Sequence, residues 1–290
     1  MTLEMLEATF SPLVPTDESE SFYIKFYNQF CFIQVNDAFI MRMKEYLKED
    51  DIEELLNTLN NFHEDQNIAA VFSIGAGIMN GALMRRRKEN RGVSIELFNR
   101  LRAENIAPLD WYENAFEFLM VYATCEQAVK EYLVSKGASS DAIKENKLLD
   151  SLFTELENSA LRDNFIIELK NGSSSVIKSQ NELISAWRYY TLFRHDLVHA
   201  GGRTTDQIKT NMERVICNNR KELESINNAM FGELIEENDF FTSPFDGTVI
   251  SITDKHLNFF RNMVILIVES LERAIHPNEY EISGFNPYQL

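Results

Sequence analysis

The chain has 290 residues, with 28 basic against 45 acidic side chains and a formal net charge of −17 at pH 7. That length buries a self-sufficient core, as one large domain or two small ones, and the acidic balance excludes a general nucleic-acid coat. The start MTLEMLEATF has no basic segment leading into an apolar one, and no window approaches ~18 uninterrupted apolar residues, so a soluble, cytoplasmic protein with no membrane contact is expected.

Glycine and proline are scarce, 11 and 6, and apolar residues recur at three- and four-residue intervals, which predicts an all-α helical bundle. Residues 1–15 are expected to be disordered. Thr16 and Asp17 then offer a cap for a helix whose apolar face is Phe22, Phe26, Phe30 and Ile33. Met41 to Phe62 continues as helix with an acidic outer face that includes Glu49, Asp50, Asp51, Glu53 and Glu54. The glycine-rich run Ala69–Gly81 does not make a cofactor loop. Asn80 stands where the dinucleotide fingerprint needs glycine, and no Gly-Lys-Ser/Thr is present. Small residues for close helix packing explain it. Arg85, Arg86, Arg87, Lys88, Arg91, Arg100 and Arg102 form a first basic island, read as a solvated helix face. The pattern breaks at Asn105–Pro108, which divides the chain into an N-terminal helical region, 16–105, a bundle, 106–275, and an irregular tail, 276–290.

Asp110 is expected to cap a central helix, Trp111–Val134, apolar on most sides. On it Glu126 shares a face with Tyr112, Phe116, Leu119 and Ala123. The carboxylate either meets a cation from another helix or sits at the exposed edge. After Gly137–Ser140, a short helix spans Leu148–Leu156, and Asn171–Ser175 is a loop. From Gln180 a helix carries Leu183, Trp187, Tyr190 and Arg194 along one stripe until Gly201–Gly202 stops it. Thr205 caps another long helix with Ile208, Met212, Val215, Ile216 and Leu223 inward. Phe241–Ile252 reads as a β-hairpin turning at Asp246–Gly247, with Pro244 confining its first arm to an edge. Asp254 caps a last helix presenting Leu257, Phe260, Met263, Val264, Ile267 and Leu271. Cys31, Cys125 and Cys217 are odd in number and far apart, so buried thiols are expected rather than a bridge or a zinc site. His63, His256 and His276 are expected at the surface.

The most chemical stretch is Arg194-His195-Asp196-Leu197-Val198-His199. Arginine supplies a phosphate-binding cation and histidine a proton-transfer group, the minimum for cutting an RNA backbone without a metal. On an ideal helix Arg194 and His199 lie about 140° and ~7.5 Å apart, so reaching one cleft favours an interface between two copies of the helix. A second basic island surrounds them. From Arg188 to Arg220, the bases Arg188, Arg194, Arg203, Lys209, Arg214 and Arg220 outnumber Asp196, Asp206 and Glu213.

Arg194, polar His195, His199 and the small-residue exit Ala200-Gly201-Gly202 resemble the signature of the HEPN superfamily, an arginine and a histidine separated by four to six positions at the end of a bundle helix. The resemblance covers roughly residues 106–275. It implies a homodimer with facing motifs and, in active members, a metal-independent RNA endonuclease without cofactor. It further implies His199 as base or acid, Arg194 as the stabiliser of the phosphorane charge, and His195 or Asp196 orienting the nucleotide. Glu126 would correspond to the acidic residue some relatives carry on an early helix. Arg188, Arg203 and Lys209 are the expected RNA-binding cations. Toxin–antitoxin and phage-defence roles, with a regulatory or antitoxin partner, follow from the same resemblance. Two other readings remain open. His195 and His199 share a helix face as zinc ligands would, but Thr205 stands where a third ligand belongs and the general base would be Asp rather than Glu. The last reading is an inactive helical interaction module of HEPN-like fold.

Overall fold

A computed structural model describes residues 12–44, 100–140, 143–172, 176–200, 202–231 and 239–277. The expectations for 45–62, for the glycine-rich run, for Arg85–Arg91 and for His63 lie outside them. The chain groups into two compact units, Met1–Val35 with Trp111–Leu290, and Asn36–Asp110. The N-terminal region expected over 16–105 is therefore divided, and its first helix up to Val35 belongs with the bundle.

Helical periodicity sets the elements. Helix α1 spans Ser21–Lys44 and α2 spans Pro108–Ser135. A 3-10 turn at Glu145–Lys147 leads into α3, Leu148–Asn158, followed by α4, Arg162–Asn171, which the apolar spacing does not announce. The motif-bearing α5 spans Gln180–Ala200. Then come α6, Asp206–Asn218, α7, Arg220–Phe231, the single turn α8, Asp239–Thr242, and α9, Asp254–Ile275. The all-α architecture is as the spacing predicts, and no described helix is long and apolar enough to cross a membrane.

The predicted apolar faces are buried: Phe22, Phe26, Phe30 and Ile33 on α1, and Leu257, Phe260, Met263, Val264, Ile267 and Leu271 on α9. Each such side chain contributes roughly 1.5–3 kcal/mol on leaving water. Aromatic rings join α2, α5 and α9. Phe118 of α2 packs on Tyr190 and Phe193 of α5 and on Phe260 of α9, at centroid distances of 5.8, 5.2 and 4.6 Å. One polar junction crosses this apolar interior. Arg261 of α9 pairs with Glu117 of α2 (Nε–Oε1 3.0 Å), and Gln34 of α1 donates to Glu117 (2.9 Å) while accepting from Arg261 (3.3 Å). Arg261 Nη2 also donates to Glu117 Oε2 (3.3 Å), and this pairing is what makes burying both charges tolerable.

Several expectations are corrected. The hairpin over Phe241–Ile252 does not form. Proline fits the first turn of a helix, where no N–H is required, so Ser243–Phe245 curls into a 3-10 turn around Pro244. The second arm instead pairs with the segment leaving α5, through an isolated Arg203–Val249 bridge and bonds from Thr204 N to Thr248 O (2.9 Å) and from Ile250 N to Gly202 O (2.8 Å). The long helix expected after Thr205 is two helices. Thr205 does cap α6, accepting from Ile208 N, but Asn219 turns its amide back onto Val215 O (2.7 Å) and accepts from Ser185 Oγ (3.1 Å). Such competition for a backbone carbonyl breaks a helix. Cys125 is buried, but Cys31 is half-buried and Cys217 is exposed. His256 is buried rather than superficial. Its ring bridges Thr253 Oγ1 and Phe240 O, both at 2.7 Å, and stacks on Phe240, and burial lowers its pKa to about 4.

Gly202 ends the motif helix with φ +77°, and a Cβ there would collide with the Trp111 indole. Trp111 is itself fixed by its Nε1–H bond to Ile250 O (2.6 Å). Gly202→Ala should therefore lower unfolding free energy by about 2–4 kcal/mol, combining left-handed strain with overpacking, read as a fall in the thermal midpoint at unchanged helical circular dichroism.

Candidate functional site

Arg194 lies one turn and a half from the C-terminus of α5, at the border between its buried and exposed faces. Its guanidinium sits above the ring of Tyr122, 5.7 Å from the centroid, and Nη1 donates to Glu145 Oε2 at 2.9 Å. The pair is partly open, with the side chains 28% and 39% exposed. Among the described residues that is the one hydrogen bond Arg194 makes, and a guanidinium has five donors, so most of its fork remains available.

The platform beneath it is rigid. Tyr122 stacks on Trp187 (4.8 Å, 17°) and lies nearly parallel to Phe260 (6.1 Å, 9°). Thr191 gives its own proton to Trp187 O (2.9 Å), so Tyr122 must donate to Thr191 Oγ1 (3.0 Å). Trp187 in turn donates from Nε1 to Glu145 O (3.2 Å), which ties the 3-10 turn to the same stack. Burial raises the Tyr122 pKa well above the ordinary phenol value, and the charges of Glu126 and Glu145 raise it further while Arg194 lowers it. The phenol thus lies in the field of all three charged groups.

Glu126 is buried, but its cation comes from its own helix: Lys130, one turn on, donates to it. The partner expected from another helix is replaced by an i, i+4 pair, the geometry a helix supplies without tertiary help. Arg188 is likewise engaged, its Nη2 donating to both carboxylate oxygens of Asp150 on α3 at 3.0 and 3.1 Å. Lys209 donates to Asp246 O (3.2 Å), and Arg203 lies in the bridge to Val249. Glu145 and Asp150 therefore neutralise locally the two arginines that the second basic island contributes to α5.

The histidines behave differently. His195 and His199 are both exposed, with ring centroids 4.3 Å apart and tilted by 48°. Among the described residues neither ring has a hydrogen-bond partner. Asp196, between them, faces the other way. It is 4% exposed, its Oδ2 lacks a partner among the described residues, and burial raises its pKa to about 6. The expectation that Asp196 orients a nucleotide does not fit a carboxyl turned into the interior. Within one chain the arginine joins Tyr122 and Glu145, the two imidazoles join each other, and the aspartate joins neither group. Among the described residues no three His, Cys, Asp or Glu side chains gather as metal ligands, which leaves the zinc-hydrolase expectation without a third ligand there. Tyr122, Thr191 and Glu145 are not evident from the sequence pattern. Tyr122 carries the signal of a polar-tipped ring on the stripe behind Glu126, whereas Glu145, 49 positions from Arg194, carries none.

Asp196 has a folded-state pKa above its unfolded one, so its favourable contribution is complete below about pH 4 and disappears as pH rises through about 6. Asp196→Asn should match the wild type near pH 4 and exceed its stability by about 3 kcal/mol at about pH 7.5, measured by denaturant titration at the two pH values. No family model, no curated protein and no solved structure matches the chain.

Proposed function

We propose that this chain is a metal-independent RNA endonuclease of the HEPN type, acting as a homodimer. The observation that carries the reading is the end of α5, where two exposed imidazoles without protein partners among the described residues follow an arginine whose guanidinium is held at the surface with donors to spare. In the proposed reaction the 2′-hydroxyl of the substrate attacks the adjacent phosphorus. His199 takes the hydroxyl proton, the O2′–P bond forms, the P–O5′ bond breaks, and the departing 5′-oxygen receives a proton, leaving a 2′,3′-cyclic phosphate and a 5′-hydroxyl end. Arg194 stabilises the charge that grows on the non-bridging oxygens.

In-line displacement sets base and acid on opposite sides of phosphorus. His195 and His199 of one chain stand side by side, so they do not span it. A second copy facing the first supplies the opposite imidazole and brings one chain's arginine toward the other's histidine, which the angular separation on a single helix does not allow. In the proposed role, Tyr122 orients Arg194, and the phosphodiester displaces or shares the donor now given to Glu145. A toxin or phage-defence effector held in check by a partner would use such a site.

A second reading has its own support. Arg194 and Arg188 are already ion-paired, as in an inactive helical interaction module. Arg194→Ala and His199→Ala separate the two. Under the nuclease reading each change lowers cleavage of single-stranded RNA by on the order of a hundredfold or more, in the presence of chelator, with sedimentation and helical content unchanged. Persistent cleavage in both variants, or no cleavage by the wild-type chain, removes the reading. Glu145→Gln frees the guanidinium of a partly exposed pair and should tighten RNA binding about two- to five-fold, measured by fluorescence anisotropy. An interaction module would show no such change.

A further inference from the structure

The histidine pair has a property that proton transfer does not use. Residues four apart on a helix face the same way, and His195 and His199 put two tilted imidazoles next to each other in solvent near the end of α5. Two imidazoles bound to one ion, each ~2 Å from it, have ring centroids ~5 Å apart. The observed centroid separation of 4.3 Å is close to that spacing. Neither ring is committed to another group among the described residues, and both stand exposed where an ion can reach them. Position helps as well, since the unpaired carbonyls at a helix C-terminus carry partial negative charge that favours a cation.

We propose that His195 and His199 form a bis-imidazole chelate for a borderline divalent transition ion, with Zn2+ as the representative, whose remaining positions are filled by water. Imidazole selects Zn2+, Cu2+ and Ni2+ over the oxygen-seeking Mg2+ and Ca2+. The ion is not a hydrolytic centre, because the described residues supply no third ligand. Its effect rests on the nuclease reading above: an imidazole whose nitrogen lone pair is given to a metal accepts no proton, so the ion is an inhibitor that holds the site closed until a stronger ligand removes it.

Zn2+ is titrated calorimetrically into the full chain in chelator-free buffer, with Mg2+ as comparison. One ion per chain is expected, with no heat from Mg2+ at the same concentrations. His195→Ala and His199→Ala should each weaken the site by about tenfold or more, at least the loss that even outer-shell changes cause, and the double variant should lose it. Equal binding by the double variant, or no binding by the wild type, overturns the proposal. RNA cleavage is followed in parallel with and without stoichiometric Zn2+. Inhibition that chelator reverses is expected, whereas full activity with the ion bound overturns the inhibitory role. If the metal-free chain does not cut RNA, the nuclease reading fails, and the calorimetry still decides the chelate.

Discussion

The ring of Tyr122 is the point on which the core and the candidate site both depend. Trp187 and Phe260 tie it into the aromatic interior, and the guanidinium of Arg194 lies over the same ring. Stacked and edge-on rings contribute roughly 0.5–1.5 kcal/mol per pair beyond burial, and here they also fix where a cation stands. Arginine has long, soft torsions, so its position is set by what it lies against. Because Tyr122 is on α2, Arg194 on α5 and Phe260 on α9, the orientation of the cation is a property of three-helix packing, not of the hexapeptide alone.

Local charge obeys the same constraint. A chain with net charge −17 has no long-range attraction for a polyanion, so any anion site must be made by short-range geometry. The arginines of α5 do not present a bare positive surface, because Glu145 and Asp150 from the 3-10 turn and α3 meet them. Pairs of this exposure are worth little and exchange readily. They leave the cations oriented and partly desolvated, with guanidinium donors to spare for an incoming oxyanion.

Much of this is legible in the sequence because it is periodic. The faces of α1 and α9, the Thr205 cap and the stop at Gly201–Gly202 are local patterns, written in residues three or four apart. What is not legible depends on distance in space. The pairing of Glu145 with Arg194 and of Asp150 with Arg188 crosses 49 and 38 positions. The burial of His256 depends on Phe240 arriving from a separate turn. The hairpin fails because Asp246–Gly247 signals a turn without saying what the flanking arms pair with, and the segment after α5 offers Val249 a closer partner. Within the motif, composition suggests four functional side chains, but helical geometry sends Asp196 inward and the imidazoles outward, and the second of these facts sets the chemistry.

The chain has two tryptophans, and both touch the motif helix. Trp187 lies within α5 under Tyr122, and Trp111 closes over Gly202 just past its end. Emission excited at the red edge of the indole band thus comes from one ring inside the motif helix and one packed just past its end. The protein carries its own optical reporter at the place where its chemistry is proposed, and no extrinsic dye is needed to watch that segment respond to a ligand.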